Sequence, residues 1–323
     1  MIYELSGDNI DLAKAEVLAL NKAKKYKIYK NILICKGKCD YTRLAYTNLV
    51  LEEIFIDTKI PNINWDKYYK DNFCIRSNIT AKEREIAPII WNALKHPKVQ
   101  LNHSSTELWF YFIDKDIICG KKVYQREEKF QKRRPDIRPG FFPISLKPKL
   151  ARALVNLSGV NKGTIWDPFC GTGGILLEAS LMGLKIIGTD IDPLMIRAAK
   201  QNFEHYKIKA KVYKADAREE IIKCKAIVTD PPYGRRASTN KVIIKKLYEE
   251  FLAHVYPFVD IVVLMSPNDL KIKTKYKLVH ITDDFVHGSL TRRIYVLKKK
   301  ENPMPNPQQE LIQPRKHVNH NQC

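Results

Sequence analysis

The 323-residue sequence is short of the features that mark secreted and membrane proteins. Its seven cysteines are odd in number and scattered, whereas secreted disulfide frameworks are denser and usually even. It has no run of about 18 apolar residues, the length that a membrane span needs. No apolar segment follows a basic N-terminus. These absences predict a soluble, cytoplasmic protein from a reducing compartment, with no membrane partner.

Acidic side chains are also scarce relative to basic ones. The chain has 56 Lys and Arg against 35 Asp and Glu, which gives a formal net charge of +21. Such an excess favours a polyanionic partner, and nucleic acid is the one we expect. Hydrophobic residues make up 45% of the chain, which allows a sizeable core and excludes global disorder.

The second half of the sequence has a regular order of elements. From residue 147 onward, predicted strands and helices alternate, which is typical of an α/β fold with a mostly parallel sheet covered on both faces. The alternation ends in a predicted antiparallel hairpin, 276–286 with 290–298. Residues 301–323 hold prolines and amides and few apolar groups, and they predict a loose tail.

The first half is less regular. It mixes short predicted helices and strands, including a helix that begins over 43–50. Residues 131–146 combine charge, proline and glycine, and this composition predicts a linker between the two halves.

A glycine-rich turn, Asp167-Pro-Phe-Cys-Gly-Thr-Gly-Gly, follows the first predicted strand of the α/β half. Glycine lets a ligand approach the backbone, and a turn between strand and helix is a common ligand site. No Gly-Lys-Ser/Thr follows, which excludes an ATPase loop, and the three-glycine spacing of dinucleotide sites is missing. The Asp167 carboxylate suits a cationic ligand without phosphate, and S-adenosylmethionine (SAM) meets that description. The alternative is an ordinary glycine turn.

Acidic residues also end the next two predicted strands. Asp190 lies 23 residues after Asp167, close to the spacing of about 20 residues at which an acid binds ribose hydroxyls. Asp216 can accept a hydrogen bond from an adenine amino group, or it can be a solvated carboxylate. Asp192 precedes Pro193, which favours a helix N-cap over a metal site shared with Asp190.

The segment Asp230-Pro231-Pro232-Tyr233 follows the fourth predicted strand. Prolines fix φ and remove N–H donors, so Asp230 and the Pro231 carbonyl form two rigid acceptors that match the two donors of an NH₂ group. A nucleobase amine is a poor nucleophile because its lone pair is delocalised, and two acceptors draw its nitrogen toward pyramidal geometry. Tyr233 would stack on the base. The segment therefore predicts methyl transfer by positioning and electrostatics, with a proline-stiffened surface turn as the alternative.

Together with Leu146-Lys-Pro-Lys-Leu-Ala-Arg-Ala-Leu, these motifs resemble those of the THUMP-domain tRNA guanine-N2 methyltransferases, in particular the archaeal type that methylates N2 of guanine 10. The resemblance implies a Rossmann-like SAM-dependent methyltransferase domain over 147–300. It also implies a ferredoxin-like region over 1–60 and a THUMP-like RNA-binding domain over 61–130. The expected partner is tRNA and the product is N2-methyl- or N2,N2-dimethylguanosine. We expect a monomer, with or without a helper subunit, whose N-terminal module can be removed without loss of SAM binding.

These motifs and the resemblance give three sets of site residues and no metal ligand. The residues predicted to act in catalysis are Asp230, Pro231, Pro232 and Tyr233. The residues predicted to bind SAM are Asp167, Phe169, Gly171, Thr172, Gly173, Asp190, Ile191, Asp216 and Ala217. Basic residues near aromatic side chains or just after the catalytic segment predict a track for RNA phosphates, with a solvated linker as the alternative for the first four. They are Lys132, Arg133, Arg134, Arg138, Arg235 and Arg236.

Two other functions remain open from the sequence. A DNA adenine-N6 methyltransferase would use the same acceptor pair, because that pair serves any exocyclic amine. A tRNA-binding module in the first 140 residues would favour RNA over DNA as the substrate. The other alternative is a non-catalytic RNA-binding protein with a relic methyltransferase fold, which would not need to bind SAM.

Overall fold

The computed structural model describes residues 1–143, 145–234, 238–287 and 290–300. Over this part, the chain forms two seven-stranded sheets, the first from β1 to β7 and the second from β8 to β14 in chain order. Across the same residues, no helix has both the length and the apolarity needed to cross a membrane. The predicted tail and the residues Arg235 and Arg236 lie outside the described residues.

The first sheet contains all the strands before residue 126. They are β1 (Ile2–Leu5), β2 (Tyr26–Tyr29), β3 (Ile32–Cys35), β4 (Thr47–Asp57), β5 (Phe73–Ser77), β6 (Thr106–Ile113) and β7 (Asp116–Gln125). Their order is β2-β3-β1-β4-β7-β6-β5, with antiparallel neighbours except for the β5–β6 pair. Two helices complete this region, α1 (Ile10–Asn21) and α2 (Thr80–Ala93). Because β4 pairs with β7, the predicted regions 1–60 and 61–130 share one sheet.

The predicted helix over 43–50 is wrong. Tyr41–Arg43 forms a single 3-10 turn, and β4 begins at Thr47. Leu49 pairs with Glu4 of β1 on one side and with Gln125 of β7 on the other. Pairing on both edges of a long central strand outweighs local helix propensity.

The second sheet has the predicted α/β order. Its strands are β8 (Thr164–Asp167), β9 (Lys185–Asp190), β10 (Lys211–Lys214), β11 (Ala226–Thr229), β12 (Ile261–Pro267), β13 (Lys277–His287) and β14 (Leu290–Lys298). The helices are α3 (Pro148–Leu157), α4 (Gly174–Leu181), α5 (Pro193–His205) and α6 (Ser238–Val255). The order is β10-β9-β8-β11-β12-β14-β13, parallel from β10 to β12. The final hairpin is antiparallel.

The strand order reverses between β8 and β11. From β8 the chain first adds β9 and β10 on one side and then returns to add β11 on the other. A ligand crevice is expected at the carboxyl ends of the strands beside such a switch point. The residues that follow β8, β9 and β11 therefore share one edge of the sheet.

Helices α1 and α3 join the two halves of the molecule in one hydrophobic cluster, which includes Leu12 of α1 and Leu154 of α3. Glu16 is buried in this contact and accepts hydrogen bonds from the backbone N–H groups of Ala45 (2.8 Å) and Tyr46 (2.9 Å) and from Asn156 Nδ2 of α3 (2.8 Å). Burial raises the pKa of Glu16. Removing the first half would expose α3 and leave Asn156 without this acceptor, which argues against our expectation that the N-terminal module can be removed without effect on the second half.

The predicted linker is packed against the second half of the molecule. The backbone N–H of Gly140 donates to Asn202 Oδ1 at 2.8 Å, and Asn202 Nδ2 donates to the Gly140 carbonyl at 3.1 Å. A Cβ at residue 140 would lie 2.3 Å from the Ala198 carbonyl oxygen, so only glycine allows this close approach to α5. The segment is fixed to α5 by direct contact.

Candidate active site

Asp167 ends β8 at the centre of the crevice and is only 1% exposed. Its Oδ1 accepts hydrogen bonds from the Thr229 hydroxyl of β11 (2.7 Å) and from the backbone N–H of Phe169 (3.2 Å). Burial raises the pKa of Asp167 to about 8, and the nearby charges of Asp190 and Asp230 act in the same direction. Bringing a cation to this carboxyl group would favour its ionised form.

The glycine-rich turn is tied to the next strand. The backbone N–H of Gly171 donates to Asp190 Oδ2 at 2.9 Å. Gly171 has a φ of +51°, and a Cβ at that position would meet no atom within 4 Å, so the backbone here borders open space. Gly173 has a φ of +82° and lies against the Phe203 ring. The first glycine therefore leaves room for a ligand, whereas the second is needed for packing.

Packing and hydrogen bonds hold two other residues of the turn. The Phe169 ring meets the Phe251 ring of α6 edge to face, with 5.3 Å between centroids. Thr172 Oγ1 lies 2.9 Å from Ser145 Oγ, and the Thr172 carbonyl accepts from Asn202 Nδ2 at 2.9 Å. The turn is thus supported by α5, α6 and the linker before any ligand binds.

Asp190 ends β9 with both carboxylate oxygens in contact with backbone N–H groups. Besides the bond from Gly171, Oδ1 accepts from the Asp192 N–H at 2.9 Å. Asp192 in turn accepts from the Leu194 N–H at 2.8 Å, which confirms that it is the N-cap of α5. Burial raises the pKa of Asp190. Ile191, between the two acids, is 59% exposed.

Asp216 is held by a neighbouring arginine. Arg218 donates from Nε to Asp216 Oδ1 (3.0 Å) and from Nη2 to Oδ2 (2.6 Å). These hydrogen bonds lower the pKa of Asp216. An adenine amino group would share this carboxylate with Arg218. Ala217, the next residue, is buried in the core.

The bend that begins at Asp230 is anchored by a residue that sequence reasoning missed. The hydroxyl of Tyr248, a fully buried residue of α6, donates to the carbonyls of Pro231 (3.3 Å) and Pro232 (3.4 Å). The Tyr233 hydroxyl donates to Asp230 Oδ1. Each predicted acceptor for the substrate amine thus has a protein donor on one side. No sequence pattern marks Tyr248, because it looks like any aromatic residue on the apolar face of a helix.

The structure separates the basic residues predicted to face RNA. Lys132 and Arg134 are exposed. Arg133 instead donates to Glu178 of α4 (2.8 Å) and to Glu128 (2.6 Å). Glu178 is fully buried and also pairs with Arg152 of α3. These ion pairs direct Arg133 into the protein, which differs from the expected phosphate track.

Arg138 is also buried, with 3% of its surface exposed. Its Nε donates to the Arg133 carbonyl at 2.9 Å, and burial lowers the pKa of Arg138. It lies beside Gly174 at the start of α4, so it supports the glycine-rich turn from inside and does not face solvent. Among the described residues, no group of three or more His, Cys, Asp or Glu side chains could hold a metal ion.

Comparisons with known proteins point to methyltransferases. A family model described as an RMKL-like methyltransferase domain matches residues 135–282. A second model, described as a DNA methylase, matches residues 2–201 and ends before the Asp230 bend. The structure is similar to that of a possible methylase from Clostridium difficile 630, with a TM-score of 0.51 and 16% identity over 94% of this chain and 99% of that one. That likeness supports the α/β methyltransferase fold.

The names of the sequence relatives are more specific than these descriptions, because they state the tRNA nucleotide that is methylated. The chain is 36% identical over 282 residues to the tRNA (guanine(10)-N2)-dimethyltransferase of Methanothermobacter thermautotrophicus, covering 80% of this chain and 84% of that protein. It is 37% identical to the protein of the same name from Methanocaldococcus jannaschii, covering 72% and 69%. It is also 31% identical to the tRNA (guanine(10)-N(2))-methyltransferase of Saccharomyces cerevisiae, covering 48% and 39%.

Proposed function

The chain belongs to the family of tRNA (guanine(10)-N2)-dimethyltransferases, and we propose that it transfers methyl groups from SAM to N2 of guanine 10 in tRNA. The hydrogen bond between Thr229 and Asp167, 2.7 Å long, carries the proposal. It joins the end of the strand that leads to the amine-binding bend directly to the acid that faces the cofactor. Cofactor and substrate groups therefore meet at one edge of the sheet.

The residues at this edge fit SAM. A buried carboxyl group at Asp167 suits its ammonium, and open space at Gly171 admits a ligand close to the backbone. Asp190 would hold the ribose hydroxyls, and the exposed Ile191 would cover the adenine ring. Asp216 would share its carboxylate between Arg218 and the adenine amino group. When bound, SAM supplies a methyl carbon attached to a positively charged sulfur.

The bend would orient the guanine amine. Asp230 and the Pro231 carbonyl each accept one of its two N–H groups, which turns the nitrogen lone pair toward the cofactor. Tyr248 and Tyr233 already donate to these two acceptors, so the acceptors do not need to reorganise when substrate arrives. After transfer, the nitrogen must lose a proton, and the Asp230 carboxylate is the base in contact with it. The bend is open to the same amine after a first methylation, because one N–H remains.

We further propose that the N-terminal half binds the tRNA. A cavity on the first sheet is lined by the Arg76 guanidinium, the Trp109 indole ring and His103, so it combines a cation with an aromatic surface. The Trp109 and Tyr111 rings are stacked, with 6.3 Å between centroids. Such a combination suits an unpaired nucleotide with its phosphate. A THUMP-like domain over 61–130 and action as a cytoplasmic monomer belong to the same proposal.

A DNA adenine-N6 methyltransferase is the second candidate, and the DNA methylase model that matches residues 2–201 favours it. That match ends before Asp230, so it does not include the residues that would select the base. Relatives that cover most of the chain carry the tRNA name.

Incubation with labelled SAM would distinguish the two candidates. We expect unmodified tRNA transcripts to gain N2-methylguanosine or N2,N2-dimethylguanosine at position 10, identified by nucleoside analysis and mapping. A transcript with adenine at position 10 should stay unlabelled, as should duplex DNA. Label in duplex DNA, or at another tRNA position only, would contradict the proposal.

A further inference from the structure

The acceptor pair at Asp230 and Pro231 recognises an amino group but cannot by itself tell guanine from adenine. Both bases carry one exocyclic amine. They differ in that guanine has an acceptor oxygen, O6, where adenine has its amine. Selection of guanine therefore needs a donor that lies near the bend and can reach O6.

Arg292 is such a donor. Its backbone pairs with Pro267 at the carboxyl end of β12, the strand next to β11, which places it at the same edge of the sheet as the bend. Its guanidinium carbon lies 5.9 Å from the centroid of the Tyr233 ring. The guanidinium thus lies next to the ring on which the base is expected to stack.

The surroundings of Arg292 leave donor capacity available. Its Nε is buried and has no hydrogen-bond partner among the described residues. Asp284 lies opposite Arg292 in the β13–β14 ladder, and its carboxyl group interacts electrostatically with the guanidinium. A buried N–H without a partner is costly, and a ligand acceptor would remove that cost.

We propose that Arg292 donates hydrogen bonds to O6 and N7 of the target guanine and thereby selects guanine over other amine-bearing bases. The proposal rests on the proposed function and names the residue that gives it base specificity. In guanine, N1 lies between the carbon that bears the N2 amine and the carbon that bears O6. When the N2 amine is bound at Asp230, O6 therefore lies in the same plane, beyond N1. Arginine commonly binds O6 and N7 together.

Arg293 provides a matched control. It is the next residue of β14, so its side chain lies on the opposite face of the strand. Its guanidinium donates to both oxygens of Asp283 at 2.8 and 2.9 Å. Replacing Arg293 removes the same charge from the same strand without touching Tyr233.

The test compares two tRNAs, one with guanine and one with 2-aminopurine at position 10. The second base keeps the N2 amine and lacks O6. For the unaltered protein we expect kcat/KM to favour guanine by on the order of 10- to 100-fold. Arg292→Ala should reduce this preference to within a few fold, Arg292→Lys should give an intermediate value, and Arg293→Ala should leave it unchanged.

Other outcomes would overturn the proposal. If Arg292→Ala slows both substrates equally and keeps the preference, the residue contacts a phosphate or supports the fold, and base selection lies elsewhere. Thermal melting and SAM affinity of each variant separate loss of folding from loss of selection. If the unaltered protein methylates neither tRNA, the proposed function itself fails. If the protein methylates guanine 10 but its preference for guanine over 2-aminopurine does not depend on Arg292, the role of Arg292 is refuted and the proposed function stands.

Discussion

Replacing Asp167 with asparagine tests whether this buried acid binds the cationic part of the cofactor. Asparagine keeps the size of the side chain and an oxygen that can accept from Thr229. Because the pKa of Asp167 is raised to about 8 by burial, roughly nine-tenths of the molecules carry a proton on this group at pH 7. Binding of a cation at pH 7 should therefore release close to one proton, and SAM affinity should rise by up to about tenfold per pH unit below pH 7 and level off above pH 8.

Asp167→Asn should abolish both the release of a proton on binding and the rise of SAM affinity with pH. Breaking a buried ion pair costs about 3 kcal/mol or more, so we expect SAM to bind on the order of 100-fold more weakly at pH 8. The difference should shrink toward pH 6, where the native carboxyl group must first lose its proton. Titration calorimetry in buffers of different ionisation enthalpy measures both the affinity and the protons released. Asp192→Asn is the control, because that residue caps α5 and asparagine also caps helices.

Two results would refute this reasoning. Proton release that persists in Asp167→Asn would mean that another group titrates on binding. Equal affinity of the two proteins at pH 8 would mean that Asp167 does not meet the cation.

The same pKa predicts how stability without cofactor depends on pH. A folded-state pKa above the unfolded value of 3.8 means that the native state holds a proton that the unfolded chain has lost between about pH 4 and 8. The free energy of unfolding should then fall by up to about 1.4 kcal/mol per pH unit across that window, and Asp167→Asn should flatten the slope. Chemical denaturation at several pH values would show it, and a slope that is identical in the two proteins would contradict the assignment.

Three further substitutions separate binding from chemistry. Asp230→Ala should slow methyl transfer by on the order of 100-fold or more and change SAM affinity only a few fold; an equal loss of SAM binding in calorimetry would contradict its role. Asp190→Ala leaves the N–H groups of Gly171 and Asp192 without their acceptor, so it should weaken SAM binding at least about tenfold with little change in kcat at saturating SAM. Tyr248→Phe should lower kcat several fold and leave SAM affinity near the native value; unchanged kcat would mean that the Pro231 carbonyl needs no donor.

The parts of the site that follow from the sequence are those encoded by neighbouring residues. Asp167 and Asp190 could be placed because each ends a predicted strand that a short turn joins to the next helix, and the Asp192 cap could be placed because Pro193 comes next. Tyr248 and Arg133 could not, because their partners are 17 and 45 residues away. A charged residue in a polar segment is expected to be exposed. Only the tertiary structure shows that Glu178 and Glu128 draw Arg133 inward.

The shared core also changes how RNA binding must be tested. Deleting residues 1–130 would remove Glu16 and the apolar face of α1, and both are in contact with α3. Helix α3 packs against α4, and α4 begins directly after the glycine-rich turn. Such a deletion would therefore disturb the cofactor site through the core. Loss of activity in the truncated protein would then say nothing about tRNA contacts. Substitutions at Arg76 or Trp109 leave the α1–α3 contact in place, so they are the cleaner way to separate RNA binding from cofactor binding.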